Sequence, residues 1–298
     1  MSCGNLRAMR NSFDRSAEDL GNIVALEHVN TRIPDQQLAT AFYVSALGLT
    51  RDPYLMTGTD NMWANVGRSQ FHLPTSKPEV LRGRVGIVVP GREALLARLV
   101  RAKKALEGTR FAFAEHEGFV EAVSPWGNVI RVHEPQPRFG PMRLGMPYVE
   151  LDVPQGSAEG IVRFYREIME APARVEDGAA RVDVGPDQVL LYRETDREPP
   201  PYDGHHIQVY LADFSGPYRR LLERGLVSEE SDQHQYRFRD LVDPGSGRKL
   251  FTLEHEVRSM RHPLFARPLV NRNPEQSNVR YAPGYDAAQA AQPLAERK

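Results

Sequence analysis

The sequence predicts an α+β protein built from four copies of one supersecondary unit, each a strand, a helix and three short strands. Three observations carry this. A short apolar strand recurs four times, as Leu26–Pro34, Arg84–Pro90, Tyr148–Pro154 and His206–Ala212, and three of the four end in an apolar residue and proline. Behind each lies a segment with apolar residues at helical spacing. Behind each helix come short alternating stretches bounded by turn residues, the signature of strands.

In the first unit the helix is Leu38–Gly48 and in the third Gly160–Met169, and both carry a Phe-Tyr pair, Phe42-Tyr43 and Phe164-Tyr165, read as helix core. The second and fourth helices, Glu93–Val100 and Tyr218–Gly225, lack the pair, so units one and three match, as do two and four. Alternating segments follow at Asn61–Gly67 and Ser69–Leu73, and again at Phe119–Val123 and Asn128–His133. The boundaries are an N-terminal segment 1–22, units 23–80, 81–140, 141–200 and 201–257, and 258–298 as an extended arm with a loose Ala/Gln-rich tail.

Composition narrows the function. With 38 basic and 39 acidic residues in 298, the net charge of -1 provides no field for a phosphate backbone, so nucleic acid is not expected as a partner. The single cysteine, Cys3, excludes an intramolecular disulfide and any multi-cysteine metal site, so a metal would need His, Asp or Glu. No apolar run approaches the ~18–20 residues that span a bilayer. The first twenty residues have no apolar centre between their charges, so they do not read as a secretory signal, and a cytoplasmic location is expected.

The repeat resembles the vicinal oxygen chelate superfamily, which includes glyoxalase I, extradiol dioxygenases and bleomycin-resistance proteins. The resemblance covers roughly residues 24–256 and extends to the turns Ser124-Pro125-Trp126-Gly127-Asn128 and Asp243-Pro244-Gly245-Ser246-Gly247, which are similar to the family's Asp-Pro-x-Gly turn. It implies that two units build one open cup of eight strands, hence two cups here, with metal ligands on the first and last strand of a unit. Five positions before Ile33, Val89, Val153 and Leu211, the slot for a first-strand ligand holds His28, Arg84, Tyr148 and His206. The last-strand slot holds His72 in the first unit and falls near Glu254 in the fourth, where Thr252 and Glu256 share its strand parity. In the inner units the corresponding places hold Arg131 or His133 and Leu190 to Tyr192, which complete no ligand set.

Consecutive pairing of units would leave two half-sites. Pairing unit one with four and two with three instead gathers His28, His72, His206 and Glu254 in one cup and leaves the other without metal. Three neutral imidazoles and one carboxylate around a divalent ion leave a local charge near +1 and two open positions, suited to adjacent substrate oxygens. Fe, Mn, Ni and Zn are not distinguished. Asn30, Arg32, Gln208 and Tyr210 share the strand faces of the two first-strand histidines and are candidate substrate contacts.

Three readings remain open at this level: a glyoxalase- or epimerase-like isomerase or lyase on a small substrate, an extradiol-type Fe(II) dioxygenase, or a metal-free ligand-binding protein of the bleomycin-resistance kind. Glu254 and His234 are the candidate acid/base groups, and a homodimer is compatible with the family.

Overall fold

The computed structural model describes residues 14–55, 60–274 and 276–283. The Ala/Gln-rich tail, Cys3 and most of the N-terminal segment lie outside the described residues. The elements repeat in order four times. Unit one holds β1 (Ile23–Asn30), α1 (Gln36–Ala39), β2 (Thr50–Arg51), β3 (Asn61–Val66) and β4 (Ser69–Pro74). Unit two holds β5 (Gly83–Val88), α2 (Arg92–Ala102), β6 (Ala112–His116), β7 (Phe119–Val123) and β8 (Val129–His133). Unit three holds β9 (Gly145–Pro154), α3 (Ala158–Glu167), β10 (Ala173–Glu176), β11 (Ala179–Asp183) and β12 (Val189–Thr195). Unit four holds β13 (His206–Leu211), α4 (Ser215–Glu223), β14 (Val227–Asp232), β15 (Gln235–Val242) and β16 (Lys249–Ser259).

The strands form two eight-stranded sheets. One runs β14-β15-β16-β13-β1-β4-β3-β2 and so joins units four and one; the other runs β10-β11-β12-β9-β5-β8-β7-β6 and joins three and two. The seam of the first is the antiparallel pair β1 and β13, and that of the second is β5 and β9. Each seam strand pairs in parallel with the last strand of its own unit, which brings the start and end of each unit side by side.

One continuous apolar cluster backs both sheets. Phe42, Tyr43, Phe164 and Tyr165 are all buried in it. The segment expected as one α-helix is α1 for a single turn and then a π-helix over Thr40–Ala46. Thr40 Oγ1 donates to the Gln36 carbonyl at 2.8 Å, a back-bond that loosens the α-helical ladder. The two sheets are tied by α3, which packs on β10, β11 and β12 of one and β15 of the other. At its centre the Tyr165 hydroxyl meets the Tyr192 hydroxyl and lies 2.6 Å from His255 Nε2. His255 donates from Nδ1 to the Leu253 carbonyl and stacks on Phe238, so it is a core residue.

After β16, which ends at Ser259 and so includes Arg258 in the sheet, the chain crosses the first sheet as a strap. Phe265 packs edge-on against Tyr210, with ring centroids 4.9 Å apart. Arg267 reaches Asp52 at 2.8 Å, Asn271 exchanges hydrogen bonds with both backbone groups of Gly67, and Arg272 N donates to Thr50 Oγ1. Residues 267–272 are thereby fastened to the first unit. Among the described residues, no helix is long and apolar enough to cross a membrane.

Candidate metal centre

The histidines from the two ends of the chain meet at the β1/β13 seam. His28 faces Gln208 and Asn30 faces His206 across the antiparallel ladder, while His72 lies beside Asn30 on β4. The ligand atoms of His28, His72 and His206 all lie within 4.8 Å of one another. Among the described residues this is the only group of three or more His, Cys, Asp or Glu with that convergence.

Each ring has a distinct setting. His28 is fully buried, with Glu27 Oε2 3.4 Å from Nδ1 and no hydrogen-bond partner for Nε2. His206 has Glu254 Oε1 3.7 Å from Nδ1 and Glu256 Oε2 3.5 Å from Nε2, which makes no hydrogen bond. His72 stacks on Trp63 at 3.7 Å, and Trp63 also meets His28 edge-on. Its Nδ1 lies 2.7 Å from Asn30 Nδ2 and its Nε2 lies 2.9 Å from Asn61 Oδ1, so the ring donates from Nε2 to Asn61 and accepts at Nδ1 from Asn30. Burial holds the His28 pKa well below 6.5 despite the Glu256 charge, and pulls that of His72 down to about 2, with the neighbouring imidazoles adding to the shift. Both rings are therefore neutral, the form that binds metal.

An alternating row of charges surrounds them. Glu27 accepts from Arg258 Nη1 at 3.1 Å, Arg258 Nη2 reaches Glu256 at 2.6 Å, Arg237 bridges Glu256 and Glu254, and Arg239 Nε reaches Glu254 at 3.0 Å. Burial alone would raise the Glu256 pKa, but the nearby His206 ring and the Arg258 and Arg237 charges hold it far below the usual carboxylate range, so Glu256 is ionised. Glu254 is also lowered, through Arg237, His206 and Arg239 acting against burial.

The repeat distinguishes the two carboxylates. In unit one, the residue two positions past His28 is Asn30, whose partner on the last strand is His72. In unit four, the residue two positions past His206 is Gln208, whose partner is Glu256. Glu256 therefore occupies the place equivalent to His72. Glu254 pairs with His206 itself and stands behind its Nδ1, as Glu27 stands behind Nδ1 of His28. Glu27 reaches the site because β1 bulges between Leu26 and His28, where an extra residue faces the single step from Val209 to Gln208.

The remaining expected residues separate. Asn30, Gln208 and Tyr210 lie at the centre: Asn30 holds His72, Tyr210 donates to Glu27 at 3.3 Å, and both amide atoms of the fully buried Gln208 lack partners. Arg32 is beyond the end of β1, its side chain about half exposed and paired with Glu79. His234 lies in the turn between β14 and β15, with backbone bonds to Asp232 and Ser259, and no contact among the described residues joins it to the histidines. Sequence reasoning missed Glu27, Trp63, Arg237 and Arg258. The alternation in Gln235-Tyr236-Arg237-Phe238-Arg239 and Leu253-Glu254-His255-Glu256-Val257-Arg258, polar on one face throughout, was the available signal.

The inner sheet has no such centre. The Tyr148 hydroxyl lies 2.9 Å from His133 Nε2, Arg84 pairs with Glu150 and Asp152, and Arg193 reaches Glu150 at 3.2 Å. The Tyr148 ring lies over Gly86, where a Cβ would come within 2.2 Å of it. Side chains thus fill the place where the outer sheet gathers histidines.

No protein-family model matches the chain, and no curated protein matches it. Solved structures do. A Bacillus subtilis subsp. subtilis str. 168 protein bearing the provisional description of dioxygenase is 16% identical over 81% of this chain and 86% of its own, with a TM-score of 0.54. Glyoxalase I from Zea mays is 14% identical over 78% of this chain and 92% of its own, with a TM-score of 0.52. At such identities the likeness establishes the fold: the chain has the vicinal oxygen chelate fold.

Proposed function

We propose that the outer cup binds one divalent cation on His28, His206 and Glu256, and that the protein is an enzyme acting on a small molecule with two adjacent oxygens. The carrying observation is a pair of buried imidazoles, His28 of unit one and His206 of unit four, whose ligand atoms converge and whose Nε2 atoms have no hydrogen-bond partner. An unpaired buried polar atom costs on the order of 1–3 kcal/mol, and here an ion would satisfy both. The second side of each ring faces a carboxylate, Glu27 or Glu254, a setting that orients a ligand imidazole and raises its basicity. The neutral state of His28 and the ionised state of Glu256 match what a cation requires.

When bound, such an ion polarises an oxygen of the ligand and stabilises charge that develops on it. The chain's own residues do the rest. Arg237 and Arg258 keep Glu256 ionised and fixed, Trp63 closes one side of the His28 and His72 rings, and the buried setting excludes water, which strengthens every charge interaction. His72 would become a fourth donor if Asn30 released its Nδ1 while Nε2 stayed on Asn61, and a four-donor set would leave room for the ligand's two oxygens, which supports glyoxalase-like isomerase or lyase chemistry next to a carbonyl. This is the preferred reading because all three imidazoles already converge within 4.8 Å. A second reading follows from the hydrogen bonds that engage both nitrogens of His72: if they persist, His28, His206 and Glu256 form a two-histidine, one-carboxylate set suited to Fe(II) and O2.

Metal analysis of protein purified without chelators tests the proposal. One equivalent of divalent metal is expected, falling below a tenth of an equivalent in both His28→Ala and His206→Ala; a metal-free wild type, or mutants that retain the metal, would reject it. Loss of metal in His72→Ala supports the four-donor reading, and retention supports the oxygenase reading.

A further inference from the structure

The strap across the outer cup repeats a turn that the inner sheet also carries. Phe139 lies six residues past His133, the end of β8, and Phe265 lies six past Ser259, the end of β16. Each Phe N–H donates at 2.9 Å to the carbonyl three residues earlier, that of Gln136 or His262. Each is followed by a residue in the left-handed region, Gly140 at φ 57° or Ala266 at φ 54°. The surrounding sequence agrees, Pro137-Arg138-Phe139-Gly140-Pro141 against Pro263-Leu264-Phe265-Ala266-Arg267-Pro268. A covering turn is therefore part of the repeat shared by units two and four. In the inner sheet the Phe139 ring packs on His133, with centroids 5.0 Å apart, and the chain runs on into β9 of the same sheet, which clamps the turn at both ends. In the outer sheet, among the described residues, no further strand follows.

The outer turn roofs the histidines. Strand alternation puts Tyr210 on the face of His206, Gln70 on that of His72 and Asn65 on that of Trp63. The strap holds all three: Phe265 packs on Tyr210, Arg267 Nη2 lies 3.4 Å from Gln70 Oε1, and Asn65 donates to the Val270 carbonyl at 2.9 Å. Beneath it His28 is fully buried, and the Nε2 atoms of His28 and His206 are shut off from solvent without a hydrogen-bond partner. Atoms so placed meet a ligand only after part of the wall moves. Two features make the strap that part. It forms no strand of the sheet, and Met260 and Val270 stay exposed, so it opens at lower free energy than the ladders beneath it. Its turn also holds strain that the inner copy avoids, because a left-handed backbone crowds the Cβ of Ala266, and Gly140 has none.

We propose that residues 260–274 are a releasable lid on the outer cup. Phe265 and Arg267 hold it closed, Ala266 keeps the closed form strained, and its release is the route by which solvent and ligand reach Nε2 of His28 and His206. The inner turn is its fixed counterpart.

Carbethoxylation by diethyl pyrocarbonate tests this on the full-length apo protein, kept in chelator near neutral pH, with each histidine followed by mass spectrometry. His28 reports the lid. His205 reports global unfolding: it too is fully buried with an unpartnered Nε2, its Nδ1 lies 2.6 Å from Asp203, and no contact among the described residues joins it to the strap. Exposed His116 reports the reagent itself. In the wild type His28 is expected to react at least tenfold slower than His116 and at least threefold faster than His205. Phe265→Ala raises the His28 rate at least fivefold, and Ala266→Gly, which relieves the turn, lowers it about threefold, with the His205 rate unchanged in both. A wild type whose His28 reacts as fast as His116 would overturn the lid. So would a Phe265→Ala variant in which His28 keeps the wild-type rate or rises only in step with His205, or an Ala266→Gly variant that reacts no more slowly than the wild type. With no metal in the sample, these outcomes are separate from the fate of the metal reading.

Discussion

The placement of Glu256 rests on two guanidinium groups as much as on the histidines. Arg237 and Arg258 each bridge Glu256 to a second carboxylate, so deleting that one side chain leaves one buried and one partly buried cation short of a partner. Glu256→Ala is expected to cost about 3–5 kcal/mol, the range for breaking a buried ion pair, and to shift the urea midpoint accordingly. Glu254→Ala, which leaves Arg239 in a half-exposed setting, is expected to cost less; equal losses would contradict the geometry. His133 in the inner sheet gives a prediction in pH. Burial, aided by Arg138 and Arg131 against the Gly118 carbonyl, lowers its pKa from 6.5 to about 4. Between these values the unfolded chain binds the extra proton, so stability falls as the pH drops from about 6.5 to about 4, and this contribution levels off below. Melting curves of the wild type and His133→Gln across that window should show a shallower decline in the variant.

Among the elements, the strap after β16 is held mainly by polar anchors. Arg267 pairs with the fully buried Asp52, whose carboxylate also accepts from the backbone N–H groups of Tyr54 and Leu55, interactions that lower its pKa against burial. Arg267→Ala is expected to destabilise the chain by about 3–5 kcal/mol, and to expose 260–274 to limited proteolysis before the sheets. Cleavage at the wild-type rate would show that the anchor is not needed. Elements also mark where the sequence was legible. The four first strands could be read from their alternation, and the first-strand histidines followed from the repeat. The last-strand carboxylate did not, because β15 carries register shifts at Phe238/Asp240 and Leu241/Val242 and β16 runs on for 11 residues, so intervals counted along the chain do not give the pairing. Only the ladder shows that Glu256 lies opposite Gln208. The π-helix over Thr40–Ala46 was hidden for a similar reason: apolar spacing reports which face is buried, not how widely the backbone is wound.

At the scale of the whole molecule, one repeat has been put to two uses. The outer units supply histidine at the β1/β13 seam, and the inner units supply Arg84 and Tyr148 at equivalent positions, filling their own sheet with ion pairs. Between them Tyr165 joins Tyr192 of one sheet to His255 of the other. Tyr165→Phe removes that hydroxyl and leaves His255 Nε2 without a partner, an expected loss of about 1–3 kcal/mol in chemical denaturation. An unchanged midpoint would show that the sheets are coupled by apolar packing alone. The central claim is that the first and fourth units build one ion site together. Crystals grown with Mn(II) and measured for its anomalous signal test it most directly. One peak is predicted at the β1/β13 seam, bound by Nε2 of His28, Nε2 of His206 and the carboxylate of Glu256. A peak held by residues of one unit only, or none at the seam, would contradict the account.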